Sequence, residues 1–188
     1  MGFAVLGRRA LHLSRAGHAW PGAVNIATPG AAEAVAYARE HGFDPESFLE
    51  QPISWGDQDS MRHLNNVRYS RFIETGRMKW LASIGNELGG SDRARLFMEG
   101  RGVSLILKSI EVSFKRPVTY PDTLLVAHRP HNLQDTQLNL ASIVYSYGQQ
   151  RLVTTGDCVC VWYDYDQLKK TAVPVEIANV VNGRVKSG

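Results

Sequence analysis

Residues 66–85 read NVRYSRFIETGRMKWLASIG, and their periodicity decides the fold class. Tyr69, Ile73, Gly76, Trp80 and Ile84 fall at offsets of 0, 4, 7, 11 and 15, which is one face of an α-helix. Phe72 and Leu81 widen that face, so the spacing predicts a deeply buried helix that begins near Asn66. Gly76 sits in the middle of the stripe, where the missing side chain lets a sheet approach closely. Gly85 reads as the helix stop.

Downstream, residues 86–102 are polar and Gly-rich and read as a loop with room for a short helix. Beyond Gly102 the period falls to two. Ile110, Val112 and Phe114 alternate with Ser109, Glu111, Ser113 and Lys115, a strand that Pro117 ends. Tyr120-Pro121-Asp122 reads as a turn and residues 123–127 as the next strand. Residues 137–147 and 151–163 give two more, joined by a hairpin at Gly148-Gln149-Gln150. Residues 164–174 form an exit loop, followed by a tail.

Upstream, residues 56–66 are a loop and Ile53-Ser54-Trp55 is a short strand-like run. Asp44-Pro45-Glu46 opens a helical turn that runs through Leu49 and stops at Pro52. Residues 31–41 (AAEAVAYAREH) are strong helix formers ended by Gly42. A long apolar helix followed by a run of strands points to an α+β fold, not a βαβ sheet. A helix that is apolar on most sides needs a sheet curved round it.

The 188 residues are 44% hydrophobic and 21% charged, which excludes a disordered chain, a collagen or a coiled-coil rod. No apolar run approaches the roughly 20 residues a membrane-crossing helix needs, so no membrane span is expected. Cys158 and Cys160 read C-V-C rather than C-x-x-C, and as two positions on one strand they are expected to be buried thiols. Arg8, Arg9 and Arg15 precede the first acid, Glu33, and the rest of the chain balances 18 basic against 18 acidic residues. That body lacks the positive excess of a nucleic-acid-binding protein. The first 22 residues, rich in Arg, Leu and small residues and free of acids, have the composition of a mitochondrial presequence. A mitochondrial location is therefore expected, with the cytoplasm as the alternative. Leu6 stands where an N-myristoylation motif requires Ser or Thr. The resulting division is a presequence-like segment at 1–30, a helical N-terminal extension at 31–52, a main domain at 53–175 and a C-terminal tail at 176–188.

The loop before the long helix carries Trp55, Asp57, Asp59, His63-Leu64-Asn65-Asn66 and Tyr69, with Glu74 and Arg77 on the helix itself. Farther on stand Phe114-Lys115-Arg116-Pro117-Val118 and Pro121-Asp122-Thr123-Leu124. In this order, across residues 53–174, these motifs resemble the hotdog-fold acyl-CoA thioesterases of the 4-hydroxybenzoyl-CoA thioesterase type. The resemblance implies a hotdog fold, a long central helix wrapped by a curved antiparallel sheet, and a homodimer or homotetramer with the active site at a subunit interface. Arg62 departs from the pattern, which has Gly before the His. If the loop needs positive φ or close substrate approach there, an Arg narrows the pocket; otherwise it points to solvent.

Thioester hydrolysis requires a group that attacks or activates water, donors for the oxyanion, and a grip on the CoA arm. The resemblance makes Asp59, the second acid of D-x-D, the nucleophile or general base; residue type alone also allows it to cap the loop or helix. The first N–H groups of the helix lack intrahelical partners and sit at the positive end of its dipole, and the resemblance places the polarising N–H at or near Asn66. Asn65 or Asn66 is equally the N-cap. His63 is a catalytic candidate, either orienting Asp59 or supporting the loop, and no second ligand stands near it at zinc spacing. Neither metal nor cofactor is expected. Asn65, Tyr69, Glu74 and Arg116 are candidates for substrate binding. Glu74 and Arg77, three apart, are expected to pair with each other, and Glu74 also answers to the helix Glu that is catalytic in another hotdog branch. Arg129, Arg151, Lys169 and Lys170 are further candidates for the CoA phosphates. Two other readings stand beside the thioesterase: a hotdog hydratase or dehydratase using His63 with Asp59, and a non-catalytic acyl-binding or structural subunit.

Overall fold

The computed structural model describes residues 22–184, so most of the presequence-like segment lies outside the described residues. Helix α2 (Asn66–Met98) starts where the periodicity puts it. Asn65 is its N-cap, with Oδ1 accepting from the Val67 N–H at 3.0 Å. Tyr69, Phe72, Ile73, Trp80, Leu81 and Ile84 are all buried. At Gly76 the sheet comes so close that a Cβ would stand 2.5 Å from His128 Nε2.

The helix does not stop at Gly85. It runs on to Gly89 and Gly90, where the backbone leaves helical geometry, Gly90 at φ 68°, and residues 91–98 continue as a second helical arm. That arm folds back, and a Cβ on Gly85 would stand 2.5 Å from Ala94 Cα. Gly85 is therefore a helix-crossing contact rather than a C-cap, and most of the stretch expected as a loop at 86–102 is helical.

An antiparallel sheet cradles α2. Strands β1 (Asp44–Pro52), β2 (Val103–Phe114), β3 (Thr123–Gln134), β4 (Gln137–Ser146) and β5 (Arg151–Asp164) lie in the order β1-β3-β4-β5-β2, with the short β6 (Lys169–Lys170) paired to the end of β5. This is the expected α+β hotdog architecture, with two corrections at its start. The helical turn expected from Asp44 is strand β1, whose residues Leu49–Pro52 pair with Val126–Thr123 of β3. Phe48 packs on the outer face of the sheet and Leu49 on the inner, so both faces of this strand are buried and pairing overrides the local helical signal. Conversely, Ile53 and Ser54 leave the sheet and Trp55–Asp57 is a 3₁₀ turn, held by a capping box between Ser54 and Asp57.

Two helices complete the layers. Helix α1 (Ala31–Glu40) lays Ala31, Ala34, Val35 and Ala38 over Leu125, Ala127, Ile143 and Tyr145 on the outer face of the sheet. Residues 176–184, expected as tail, belong to helix α3 (Val175–Arg184). Its Ile177 and Val181 are buried with Trp80 and Ile84 of α2. Arg184 fixes it by donating to Ser83 Oγ and Glu87 Oε2, both at 2.6 Å, beside the buried Asp44 carboxylate that also accepts from Trp80 Nε1 at 2.8 Å.

Strand β5 lies inside the sheet, flanked by β4 and β2. Cys158 and Cys160 are buried free thiols on its helix-facing side, with Sγ atoms 3.7 Å apart. The sheet's edges are β1 and β2; β2 is the longer, twelve residues, and on it Ile106, Leu107, Ile110 and Phe114 are exposed. Among the described residues no helix is long and apolar enough to cross a membrane.

Candidate active site

The loop between the 3₁₀ turn and α2 is built by its two aspartates, and they do different work. Asp57 is structural: its Oδ2 accepts from the Ser54 N–H at 2.8 Å, its Oδ1 pairs with Arg68 Nε at 3.0 Å, and its carbonyl accepts from the Asn65 N–H. Asp59 faces the other way. Its Oδ1 accepts from the N–H groups of Met61 (2.8 Å) and His63 (3.3 Å), which fixes the carboxyl group in place. Its Oδ2 has no hydrogen-bond partner among the described residues.

Asp59 opens onto a cleft of about 340 Å³ lined also by Met61, His63, Leu64, Asn66, Tyr69 and the segment from Phe114 to Pro117. That segment is the end of the open-edge strand β2 and the turn after it. The loop is clipped to it by the Leu64 N–H donating to the Val118 carbonyl at 2.7 Å.

Asn66 is the first residue of α2. The N–H groups of Val67 and Arg68 are satisfied by the Asn65 side chain and carbonyl, whereas the Asn66 N–H has no partner among the described residues. The cleft is therefore lined both by an anchored carboxylate with a free oxygen and by the residue whose N–H stands unpaired at the positive end of a long helix.

The floor is Tyr69, whose ring meets Phe114 edge-on at 5.3 Å between centroids. Burial and then the nearby Asp122 carboxylate push its hydroxyl up to about 12, so it stays protonated across the neutral range. Asp122 itself ties the start of β3 to the β4–β5 hairpin, accepting from the N–H groups of Thr123 and Gly148 and from the Ser146 hydroxyl.

The remaining candidates fall in different places. His63 lines the cleft, but its backbone is what braces the loop, its carbonyl accepting from the Asp59 N–H at 2.8 Å. Its imidazole has no hydrogen-bond partner among the described residues. Asn65 spends its side chain on the cap. Glu74 is exposed and pairs with Arg71 at 3.6 Å, not with Arg77, which is buried. The expected Glu74–Arg77 pair is absent because the two residues lie on either side of the helix's buried boundary. Arg116 lines the cleft with Lys115, a cation that the alternating-strand reading passed over. Arg129 lies on the α1 side of the sheet, donating to the His41 carbonyl at 3.2 Å. Arg62 has φ 64°, so the loop does require the left-handed conformation at that point, but its side chain is exposed and does not line the cleft. Among the described residues no cluster of three His, Cys, Asp or Glu side chains is placed to hold a metal.

Comparison with solved structures returns the same fold. The PA2801 protein of Pseudomonas aeruginosa matches with a TM-score of 0.59 at 24% identity, over 71% of this chain and 96% of that one. The BH1999 gentisyl-coenzyme A thioesterase matches with a TM-score of 0.60 at 14% identity, over 71% and 98%. The DHNA-CoA thioesterase of Staphylococcus aureus matches with a TM-score of 0.60 at 17% identity, over 72% and 90%. At such identities the likeness is one of fold. No curated protein matches the sequence. The family model of the thioesterase-like superfamily, however, matches residues 53–181, which span the loop, the long helix and the whole cleft. The chain belongs to the thioesterase-like superfamily.

Proposed function

We propose that this protein is an acyl-CoA thioesterase, hydrolysing an acyl thioester to the free acid and CoA. The observation that carries the reading is the free Asp59 oxygen and the unpaired Asn66 N–H on one cleft. In this reading the thioester carbonyl oxygen accepts from the Asn66 N–H, and the helix dipole stabilises the negative charge that develops on it. Asp59 either takes a proton from a water that attacks the carbonyl carbon, and passes that proton to the CoA thiolate as the tetrahedral intermediate collapses to the acid, or attacks the carbon itself, expelling the thiolate and leaving a mixed anhydride that a water then hydrolyses to the acid and free Asp59, the released proton going to the thiolate. Tyr69 and Phe114 pack beside the acyl group, and Arg116 and Lys115 stand at the rim for the CoA phosphates. Asn65 supports the site as the cap that leaves the Asn66 N–H free. His63 and Glu74 play no part in the bond-breaking step.

The protein works in this reading as a homodimer built on β2. A twelve-residue edge with four exposed apolar side chains is an unpartnered template, and a second copy adding its own β2 satisfies it. The same edge ends at Phe114, so the partner would also close the cleft. The acid-free N-terminus supports delivery to mitochondria, which subcellular fractionation of a tagged full-length chain checks.

The test is thiol release from a panel of short, long and aromatic acyl-CoAs, with a crotonyl-CoA hydration assay alongside. Turnover that releases thiol supports the proposal and names the acyl class. Hydration without thiol release would transfer the assignment to the hydratases, and inertness on every substrate would leave a non-catalytic binder.

A further inference from the structure

The cleft ends inward at a pair of rings. Tyr69 stands three residues after Asn66 on α2, on the same face and about 4.5 Å deeper along the axis. Helical side chains lean toward the N-terminus, so its ring lies under the turn that carries the Asn66 N–H. That ring is fixed. It is only 2% exposed, and its hydroxyl lies beside Thr154 of β5 and the Val118 main chain. It therefore spans the gap from α2 to the sheet. Thr154 stands opposite Phe114 in the β2–β5 register, and the Phe114 ring meets the Tyr69 ring edge-on along that row.

Behind the pair the space is filled. Ile73, one helical turn after Tyr69, is fully buried with Val118, Leu124 and Val153. Val112, the next residue of β2 on the same side as Phe114, packs against that cluster. The lining of the cleft ends accordingly at Tyr69 and Phe114 and reaches none of these side chains. Phe114 is 47% exposed at the end of its strand, so it is the half of the pair that can give way. Tyr69, held from the helix at one end and the sheet at the other, is the fixed half.

We propose that Tyr69 and Phe114 form a length filter, so that among straight-chain acyl groups the site takes those of up to about four carbons. This deepens the thioesterase reading and rests on it. With the carbonyl oxygen on the Asn66 N–H, an extended acyl chain advances about 1.2 Å per bond and reaches the depth of Tyr69 within about four carbons. A longer chain must displace Phe114 or leave the cleft with its tail in water. The first route forces apart rings packed against a filled core, and the second buries no further methylene.

The experiment is kcat/KM on acetyl-, butyryl-, hexanoyl-, octanoyl- and decanoyl-CoA for wild type, Phe114→Ala and Tyr69→Val. Wild type is expected to fall by about 10- to 200-fold from butyryl- to hexanoyl-CoA, the discrimination a closed pocket makes against a methylene it cannot hold. Phe114→Ala is expected to move that break to longer chains, raising the hexanoyl-to-butyryl ratio by about 10-fold or more. Tyr69→Val is expected to move it further. If Tyr69→Val fails to fold, the wild-type profile and the variant at half-exposed Phe114 still decide. Wild-type rates that hold level or rise from butyryl- to decanoyl-CoA would overturn the proposal while leaving the thioesterase reading intact. A break that stays in place in Phe114→Ala would overturn it too, since the limit would then lie elsewhere. Inertness on all five esters would overturn it as well. Hydrolysis of an aromatic acyl-CoA would in that case keep the thioesterase reading, and inertness there would remove both.

Discussion

Arg62 occupies the left-handed region at φ 64°, a conformation that costs a side-chain-bearing residue about 1–2 kcal/mol. Its side chain touches none of the cleft, so that strain serves no contact the site needs. Arg62→Gly is therefore expected to raise stability by about 0.5–1 kcal/mol in urea unfolding, part of the gain being offset by the freer unfolded chain. Thiol release by this variant is expected to match wild type, and a fall would mean that the Arg side chain reaches the substrate. The two aspartates of the same loop show what sequence makes legible at this scale. Asp59, Asn66 and Tyr69 could be chosen from motif and helix period alone, and the cleft contains all three. The motif picked Asp59 over Asp57 without the physical reason, which lies in the backbone N–H groups each one meets and so in how the chain turns at Asp59 and Arg62. The Arg71–Glu74 pair and the burial of Arg77 were hidden for a similar reason, because spacing of three makes two residues neighbours without saying which one faces the sheet.

Helix α2 carries its functional end and its structural end on one element. The N-terminal half follows its sequence period faithfully, since every residue of the apolar stripe from Tyr69 to Ile84 is buried. The C-terminal half does not, because Gly85 and the Gly89-Gly90 pair offer the same local signal and only the fold-back of residues 91–98 tells a crossing point from a stop. The difference is measurable. On an ordinary helix, Gly→Ala gains up to about 1 kcal/mol in propensity. At Gly85 the new Cβ would stand 2.5 Å from the Ala94 backbone, which has no rotamer with which to yield. Gly85→Ala is expected to destabilise by about 1–3 kcal/mol, read as a lower urea midpoint with unchanged slope. Strand β1 was hidden in the same way. Asp-Pro-Glu is a fair helix start, and only β3 beside it and burial of both Phe48 and Leu49 make the segment a strand.

At the scale of the whole molecule, the sheet is closed on its outer face by α1, at its far end by α3, and left open along β2. If two copies join there, Ile110→Lys is expected to halve the mass seen in light scattering and to reduce thiol release with it, since Phe114 and its neighbours would lose their cover. An unchanged mass would place the interface elsewhere. The core also predicts how the fold meets acid. Burial, and then the Arg77 charge, lower His128 from 6.5 to about 3. Above pH 6.5 the ring is neutral in both states. Between 6.5 and about 3 the unfolded chain holds a proton that the folded chain refuses, so stability falls as pH drops through that window, by up to about 1.4 kcal/mol per unit from this residue. Urea unfolding across the window is expected to show that slope, and His128→Gln to flatten it. The α+β class, the wrapped helix, four of the strands and the β4–β5 hairpin were readable from periods of 3.6 and 2 and from turn residues. The layers outside them were not, because α1 and α3 show their role only against faces that the sheet creates.

The measurement that bears most directly on the account is single-turnover thiol release by Asp59→Asn against wild type, on whichever acyl-CoA the wild type hydrolyses best. Asparagine keeps the shape and the anchoring bonds from Met61 and His63 and removes the reactive oxygen. The account predicts a fall of about 10²- to 10⁴-fold in the chemical step with the fold unchanged. Equal rates for the two proteins would contradict it, and the free oxygen of Asp59 would then be no more than the end of a loop cap.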